Sequence, residues 1–428
     1  MIEYFINKQN EISELTLRFK ISETTNIYNA VVNTCKHAGM YLVNETLMLK
    51  RKRIGQGYDT SSEDSGDLDI YEDDVNLVFT GAVKDEVLKK TRKYQKLNHF
   101  PHSFNIGRKD AMWRNLSEMI DDFPEDYDFV PKTYIFPQDA EDFDKDRKES
   151  SESKEKPSLW IFKPSASSWG KGIKLVTKDS PLPAIQKGFI ISEYLSDPHL
   201  IEGWKYDLRV YVLVTSFDPL VIYMYNDGLV RFATGKYSLD ESHYEDSFVH
   251  LTNYSVQKKS EAYNQNKSKG SDNLRASKWS LKTLRRVFEE HGKDFESVER
   301  RMKDVIVKTI ISVEYPVVSA LNKSTRLKNL CYELYGFDII IDADLKPWIL
   351  EVNISPSFSS SSPFDKDLKT KLICDSLTIV GVRPANHSRY VEENKAKPVK
   401  TDDKQEDEDD ESEGEEDESE EEDEPVPK

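Results

Sequence analysis

The chain has 428 residues, with 60 Lys and Arg against 78 Asp and Glu and a formal net charge of −18. Residues 401–428 hold 18 acidic and 2 basic side chains, a net of −16, which leaves only −2 for the rest. A nearly neutral body argues against a general nucleic-acid binder, because counterion release needs a basic surface. No run approaches the roughly 18 apolar residues of a membrane span.

The length leaves room for two or three domains and a substantial core. The N-terminal MIEYFINKQNE has neither a basic n-region nor an apolar h-region, so no secretory signal is expected. Cys35, Cys331 and Cys374 are too dispersed for a disulfide framework or a zinc cluster, which fits a reducing, intracellular compartment. Residues 1–100 are mixed. They hold a basic run at 47–53 and an acidic, Ser-rich surface loop at 59–74. The aromatic and charged block FPHSFNIGRKDAMWRNL follows at 100–116, then a polar stretch at 139–157 whose first half is expected to be helical. From residue 159 the texture changes to short strand-like runs: LWIFK, IKLV, FIISEYL, DLRVYVLV and LVIYMY. Residues 277–314 have Leu281, Leu284, Val287 and Phe288 at helical spacing. GFDIII and PWILEVN then read as strands, and residues 365–380 as a closing helix. The mixture predicts an α/β or α+β core. The acidic 401–428 segment is too poor in apolar residues to fold alone and is expected to be disordered.

Four segments concentrate chemistry. In LWIFKPSASSWGKGIKLV (159–176) a strand delivers Lys163 into a small-residue loop with Gly170 and Gly172. Such a loop lets backbone N–H groups approach phosphate oxygens. It matches neither the P-loop nor the GxGxxG spacing, and a plain hairpin is the bland alternative. In KYDLR (205–209) the two-residue period puts Lys205, Asp207 and Arg209 on one face and Tyr206, Leu208 and Val210 on the other. Three charges beside an apolar run need either one another or a ligand. In GFDIIIDADLKPWILEVNISPS (336–357) a hairpin centred near 344–345 sets Asp338 opposite Glu351, with Asn353 on the face of Glu351. Adjacent carboxylates repel, and a divalent cation such as Mg²⁺ together with nucleotide phosphates relieves that. An exposed hairpin with scattered acids is the alternative, and the flanking Ile339, Ile340, Ile341, Ile349, Leu350 and Val352 oppose it. HLTNYSVQKK (250–259) is dense in hydrogen-bonding side chains, and alone it reads as a capped loop.

Together these segments resemble the tubulin tyrosine ligase-like family of ATP-grasp amino-acid ligases. The resemblance runs from Gln95 to Pro384, about two-thirds of the chain, through QKLNHFPHSFNIGRKDAMWRNL, KYDLRVYVLVTSFDPL, DGLVRFATGKYS, HLTNYSV and LYGFDIIIDADLKPWILEVNISPS. The first block, with FVPKTYIFPQDA, is most similar to the polyglutamylases that start side chains.

The resemblance implies an ATP-grasp fold with the nucleotide between a central domain (101–217) and a C-terminal domain (218–385). An N-terminal accessory domain (1–100) and the disordered acidic tail (386–428) would complete the chain. It implies that ATP converts a γ-carboxylate of a glutamate in an acidic tubulin tail to an acyl phosphate. The amine of free glutamate then attacks to give an isopeptide branch. A carboxylate needs such a leaving group, and making it demands neutralised phosphate charge rather than a Ser or Cys nucleophile.

By the same resemblance, Lys109, Lys163 and Arg209 meet ATP phosphates, and the loop at Trp169 and Gly170 closes on them. Ser192, Glu193, Tyr194 and Leu195 hold the adenine edge. Lys205, Tyr206 and Asp207 contact the nucleoside, with Thr252 and Asn253 as further ATP contacts. Asp338, Glu351 and Asn353 bind Mg²⁺. Arg231, Tyr254, Ser255 and Lys278 hold the incoming amino acid, and an Arg and a Lys favour glutamate as donor. Lys163, Arg209, Arg231 and Glu351 would carry the catalysis. Two positions depart from the pattern: Trp169, where related glutamylases often have Arg, and Glu193, where many relatives have Arg or Lys. A glycylase, another amino-acid ligase or a non-catalytic protein whose acidic tail engages basic partners are the rival readings. The expected partners are tubulin and free glutamate, without nucleic acid or membrane. The expected state is a monomer, working in the cytoplasm on the cytoskeleton, including the cilium or basal body.

Overall fold

A computed structural model describes residues 16–22, 25–43, 75–150, 158–165, 170, 172–181, 188–266 and 273–384. The basic run at 47–53, the acidic stretch at 59–74, residues 151–157, Trp169 and the tail at 386–428 lie outside the described residues.

The chain builds three sheets. Strands β1 (Arg18–Ile21), β2 (Tyr41–Leu42), β3 (Leu77–Phe79) and β4 (Lys96–Leu97) form a parallel sheet in the order β2-β1-β3-β4. Phe19, Ile21 and Leu77 pack there with Val31 and Cys35 of the helix Asn29–His37 and with Ile373. Helices Phe104–Gly107 and Lys109–Asp122 follow.

The second sheet is antiparallel. It orders β5 (Thr133–Phe136), β6 (Trp160–Pro164), β7 (Lys174–Val176) and β8 (Phe189–Glu193) as β5-β8-β6-β7. The expected helix in the polar stretch is Ala140–Glu149. It has one buried residue, Phe143, whose ring meets Tyr134, Phe136 and Trp160 edge-on.

The third sheet comprises β9 (Leu200–Ile201), β10 (Trp204–Phe217), β11 (Leu220–Phe232), β12 (Lys278–Ser280), β13 (Glu333–Ile341) and β14 (Pro347–Asn353). Its order is β12-β11-β10-β13-β14, with β9 paired to β10. The strands read from LWIFK, IKLV, FIISEYL, DLRVYVLV, LVIYMY, GFDIII and PWILEVN all form. Because β10 bonds to both β11 and β13, residues 204–217 lie in the same sheet as residues 220–353, across the boundary expected at 217. The expected helix at 277–314 begins instead with strand β12, and then divides into Leu281–Glu290, Phe295–Ile311 and Glu314–Ser324. Arg231 and Lys278 are cross-strand partners, so β12 extends the sheet. Ser280 then accepts a hydrogen bond from the Thr283 amide and starts the helix.

Leu284, Val287, Phe288, Val298, Met302 and Ile306 of these helices cover one face of the sheet, against Tyr206, Leu208, Val210, Val230 and Ile339. Each fully buried apolar side chain of this size contributes about 1.5–3 kcal/mol. Helix Pro363–Val380 starts on a Ser362 cap with Pro363 in the first turn, and ends where Gly381 takes φ 68°.

Candidate active site

The two-residue period of β10 divides its side chains as the sequence predicts. Tyr206, Leu208 and Val210 enter the apolar core, while Lys205 and Asp207 line a cleft and Arg209 bonds to Asp338. Strand register then assembles a row of charges. Lys278 on β12 faces Arg231 on β11, which faces Asp207 on β10. One period along β10, Arg209 faces Asp338 on β13, which faces Glu351 on β14. The hairpin places Asp338 opposite Glu351 as expected from its turn, and a bulge just beyond shifts the pairing so that Ile339 meets Ile349. Asn353 stays on the Glu351 side, its amide 3.3 Å from Glu351 Oε1.

The row is largely self-neutralised. Arg231 donates to Asp207 Oδ1 at 2.7 Å through Nε and reaches Asp338 Oδ2 at 2.9 Å through Nη2. Arg209 donates to both Asp338 oxygens, at 2.5 and 3.0 Å. Burial would raise the Asp338 carboxyl, but Arg209 and Arg231 outweigh it and hold it far below the usual carboxylate range. The charges of 205–209 therefore find partners, though on neighbouring strands rather than along their own. Lys109, from the start of its helix, places Nζ 2.9 Å from Glu351 Oε2.

The cleft lies between the second and third sheets. Among the expected residues it gathers Lys163, Glu193, Tyr194, Leu195, Lys205, Asp207, Thr252, Asn253, Asp338 and Glu351. Ile161, Ile173, Ile340 and Leu350 supply apolar walls. Burial, with Lys109 adding to it and Glu351 opposing, lowers the Lys163 ammonium to about 8. Burial, opposed by Asp207 and reinforced by Lys163, lowers Lys205 to about 7. Lys205 donates to the Tyr194 hydroxyl at 2.9 Å, which in turn lies 2.9 Å from His250 Nδ1. Burial and Lys205 push His250 down to about 4, so its ring is neutral in this chain of polar contacts.

Gly170 takes φ +70°, and a Cβ there would stand 3.1 Å from both Asn253 Oδ1 and Val256 Cγ2. The glycine therefore brings the 159–176 hairpin against the Thr252–Asn253 segment. Beside the cleft, Lys278 Nζ sits 3.9 Å over the Tyr254 ring and 3.0 Å from Asp365 Oδ2, and Ser255 follows Tyr254 on the short helix Tyr254–Gln257.

Two expected residues are placed elsewhere. Tyr206 points its ring into the core and its hydroxyl to His199 Nδ1 at 2.8 Å, because it alternates with Lys205 and Asp207. Ser192 is buried, its hydroxyl accepting from Thr133, so only its backbone could serve a ligand. Sequence reasoning missed Tyr194–His250 as a polar chain. It also missed Asp365 and Lys369, which read only as the start of a helix. Burial lowers Lys369 to about 8 despite Asp365, and its ammonium donates to the Ser359 carbonyl. A Ser-Ser-Pro N-terminal signal placed next to an acid was the one available cue.

Asp338, Glu351 and Asn353 offer hard oxygens in one place, a donor set that fits Mg²⁺ shared with phosphates. Among the described residues no cluster of three or more His, Cys, Asp or Glu offers an all-protein metal cage. None of the described helices is long and apolar enough to cross a membrane.

A family model described as the tubulin-tyrosine ligase family matches residues 87–389. The chain is 46% identical over 300 residues to tubulin monoglutamylase TTLL4 of Homo sapiens, covering 70% of this chain and 24% of that protein. It is 39% identical over 326 residues to tubulin polyglutamylase TTLL5 of Mus musculus, covering 74% and 24%. It is 40% identical over 322 residues to a probable beta-tubulin polyglutamylase of Tetrahymena thermophila, covering 74% and 26%. The chain thus spans about a quarter of the length of these curated relatives.

Proposed function

Given that the chain belongs to the tubulin-tyrosine ligase family, we propose that it is an ATP-dependent protein–glutamate ligase of ATP-grasp architecture. It joins the amine of free glutamate to γ-carboxylates in acidic tubulin tails. The observation that carries this reading is the charged row from Lys278 to Glu351 meeting Lys163 and Lys205 across one cleft. The relatives, named as tubulin glutamylases, support tubulin as acceptor and glutamate as donor.

In this reading the apolar walls take the base, and the backbone from Ser192 to Leu195 reads its edge. Lys163, Lys109 and Arg209 meet the phosphates. Asp338, Glu351 and Asn353 would hold Mg²⁺, whose charge offsets that of the phosphates. Lys109 and Arg209 exchange their carboxylate partners for phosphate oxygens when the nucleotide arrives. Arg231 and Lys278, with Tyr254 and Ser255, hold the incoming amino acid. The nearby Lys369 adds a third cation, which suits a dicarboxylate donor better than glycine. No side chain need become a nucleophile, since the amine attacks an activated carboxylate. Relatives named for tubulin support a place of work on the cytoskeleton, and the human relative is named a monoglutamylase.

Mass spectrometry of tubulin incubated with this protein, ATP, Mg²⁺ and a mixture of glutamate, glycine and tyrosine tests the reading. Glutamate masses should appear on tubulin tails. The Glu351→Gln variant should lose the activity by roughly 100-fold or more. Glycine addition would overturn the donor, and modification of another acidic protein alone would overturn the acceptor.

A further inference from the structure

The charged row on the third sheet begins at Lys278, and what holds that lysine lies outside the sheet. Its Nζ sits 3.0 Å from Asp365 Oδ2, in the first turn of helix Pro363–Val380. The same oxygen accepts from the Ser361 hydroxyl at 2.6 Å and from the Ser361 amide at 3.2 Å. Three donors thus converge on one carboxylate oxygen, and Asp365 is only 1% exposed. Burial would raise this carboxyl, but Lys278 and Lys369 outweigh it and hold it below the usual carboxylate range. The carboxylate does not cap its own helix. Ser362 Oγ does that, accepting from the Asp365 amide at 3.1 Å. A buried carboxylate with no capping duty is a cost to stability unless its partners use it.

The contacts of Asp365 reach each element that carries the proposed amino-acid site. Lys278 comes from β12 and lies 3.9 Å over the ring of Tyr254, on the helix Tyr254–Gln257. Gln265, in the segment after that helix, donates to the Ser361 carbonyl. Lys369, one turn beyond Asp365, donates to the Ser359 carbonyl at 2.5 Å. An ammonium has three N–H groups. Asp365 takes one from Lys278, and Ser361 Oγ lies 3.4 Å from the same nitrogen. The ammonium is therefore fixed in direction and keeps an N–H for a ligand. Without such partners a lysine on its flexible four-carbon stem samples many positions.

We propose that Asp365 is a positioning residue of the ligation site, which orients Lys278 beside Tyr254 for the carboxylate of the incoming amino acid and so sets the affinity for that donor. This rests on the place given to the donor under the proposed function. Asp365 does not line the nucleotide cleft, so it acts on the donor and leaves the nucleotide alone.

Equilibrium dialysis of the full chain tests this. The protein is loaded with Mg²⁺ and a non-hydrolysable ATP analogue, and labelled glutamate, glycine and tyrosine are offered in turn. Glutamate should bind, and Asp365→Asn should weaken it by about tenfold or more, the loss of a charged hydrogen bond. Affinity for the analogue should not change. Ser361→Ala should weaken glutamate by about threefold, and this half-buried position keeps the fold if Asp365→Asn does not. In a Lys278→Met background Asp365→Asn should have no further effect, because it acts through that lysine. A merely structural carboxylate would lower analogue binding along with glutamate binding and would act equally in both backgrounds. Either result would overturn the proposal. So would a glutamate affinity unchanged in Asp365→Asn, or in Ser361→Ala where the first variant does not fold. Binding of glycine or tyrosine in place of glutamate would overturn the donor alone, and the same variants would then judge Asp365 with that amino acid. Binding of none of the three would overturn the donor site and the role of Asp365 together.

Discussion

Arg231 is the hinge of the charged row, because it bonds to both Asp207 and Asp338. All three are buried. Breaking such a group from one side leaves uncompensated charge in a low dielectric. Arg231→Met should therefore lose about 3–5 kcal/mol of stability in urea unfolding, and Asp207→Asn added to it should restore part of the loss. Lys205 makes the second residue-level prediction. Its folded value of about 7 lies below the ordinary lysine value, so the unfolded chain binds more protons between pH 7 and about 10.4. Stability of the ligand-free protein should then rise with pH across that window. Triphosphate binding favours the charged ammonium, so at pH 8 it should take up protons and weaken as pH rises further. Calorimetry in two buffers of different ionisation enthalpy reads this directly, and buffer-independent heats would contradict it. Lys205, Asp207 and Arg209 were legible as a group in the sequence because strand alternation needs only one segment. That Asp207 pairs with Arg231 was not, since it depends on which strand becomes the neighbour.

The same distinction holds for the elements. The β13–β14 hairpin revealed its register in the sequence because its turn is short and its flanks are apolar. The parallel sheet near the N-terminus did not, because its strands span two to four residues and show no period. The boundary of the first long helix was missed because Lys278–Ser280 directly adjoins the helical spacing that begins at Leu281 but is recruited by the β11 edge. Gly228 belongs to this level too. It faces Val210 just before an irregularity in the β10–β11 pairing. A Cβ there would fall 2.5 Å from the Arg209 carbonyl oxygen and 2.9 Å from Leu281 Cδ1. Gly228→Ala should cost about 1–3 kcal/mol in thermal unfolding. It should reduce ligation more than that stability loss accounts for, because β10 shifts at Arg209.

For the molecule as a whole, charge and architecture make separate demands. The segment 401–428 carries −16, the sign of the proposed acidic acceptor. Deleting it should raise the ligation rate on tubulin at low salt. The difference should close as salt rises toward roughly 0.3 M and screening shortens below about 10 Å. Equal rates for both proteins at every salt concentration would dismiss an inhibitory tail.

The strand β10 sets a stricter condition. It is polar toward one neighbour and apolar toward the other, alternating at every step from Trp204 to Val210. One inserted residue there would turn Tyr206 and Leu208 to the cleft and drive Asp207 and Arg209 into the core. Exchange of residues one for one leaves that alternation intact, whereas gain or loss of a single codon inverts it. An insertion scan across the gene should therefore find β10 closed to any odd change in length. Growth and shortening would be confined to the connections between elements, wherever substitutions in the strand itself are still accepted.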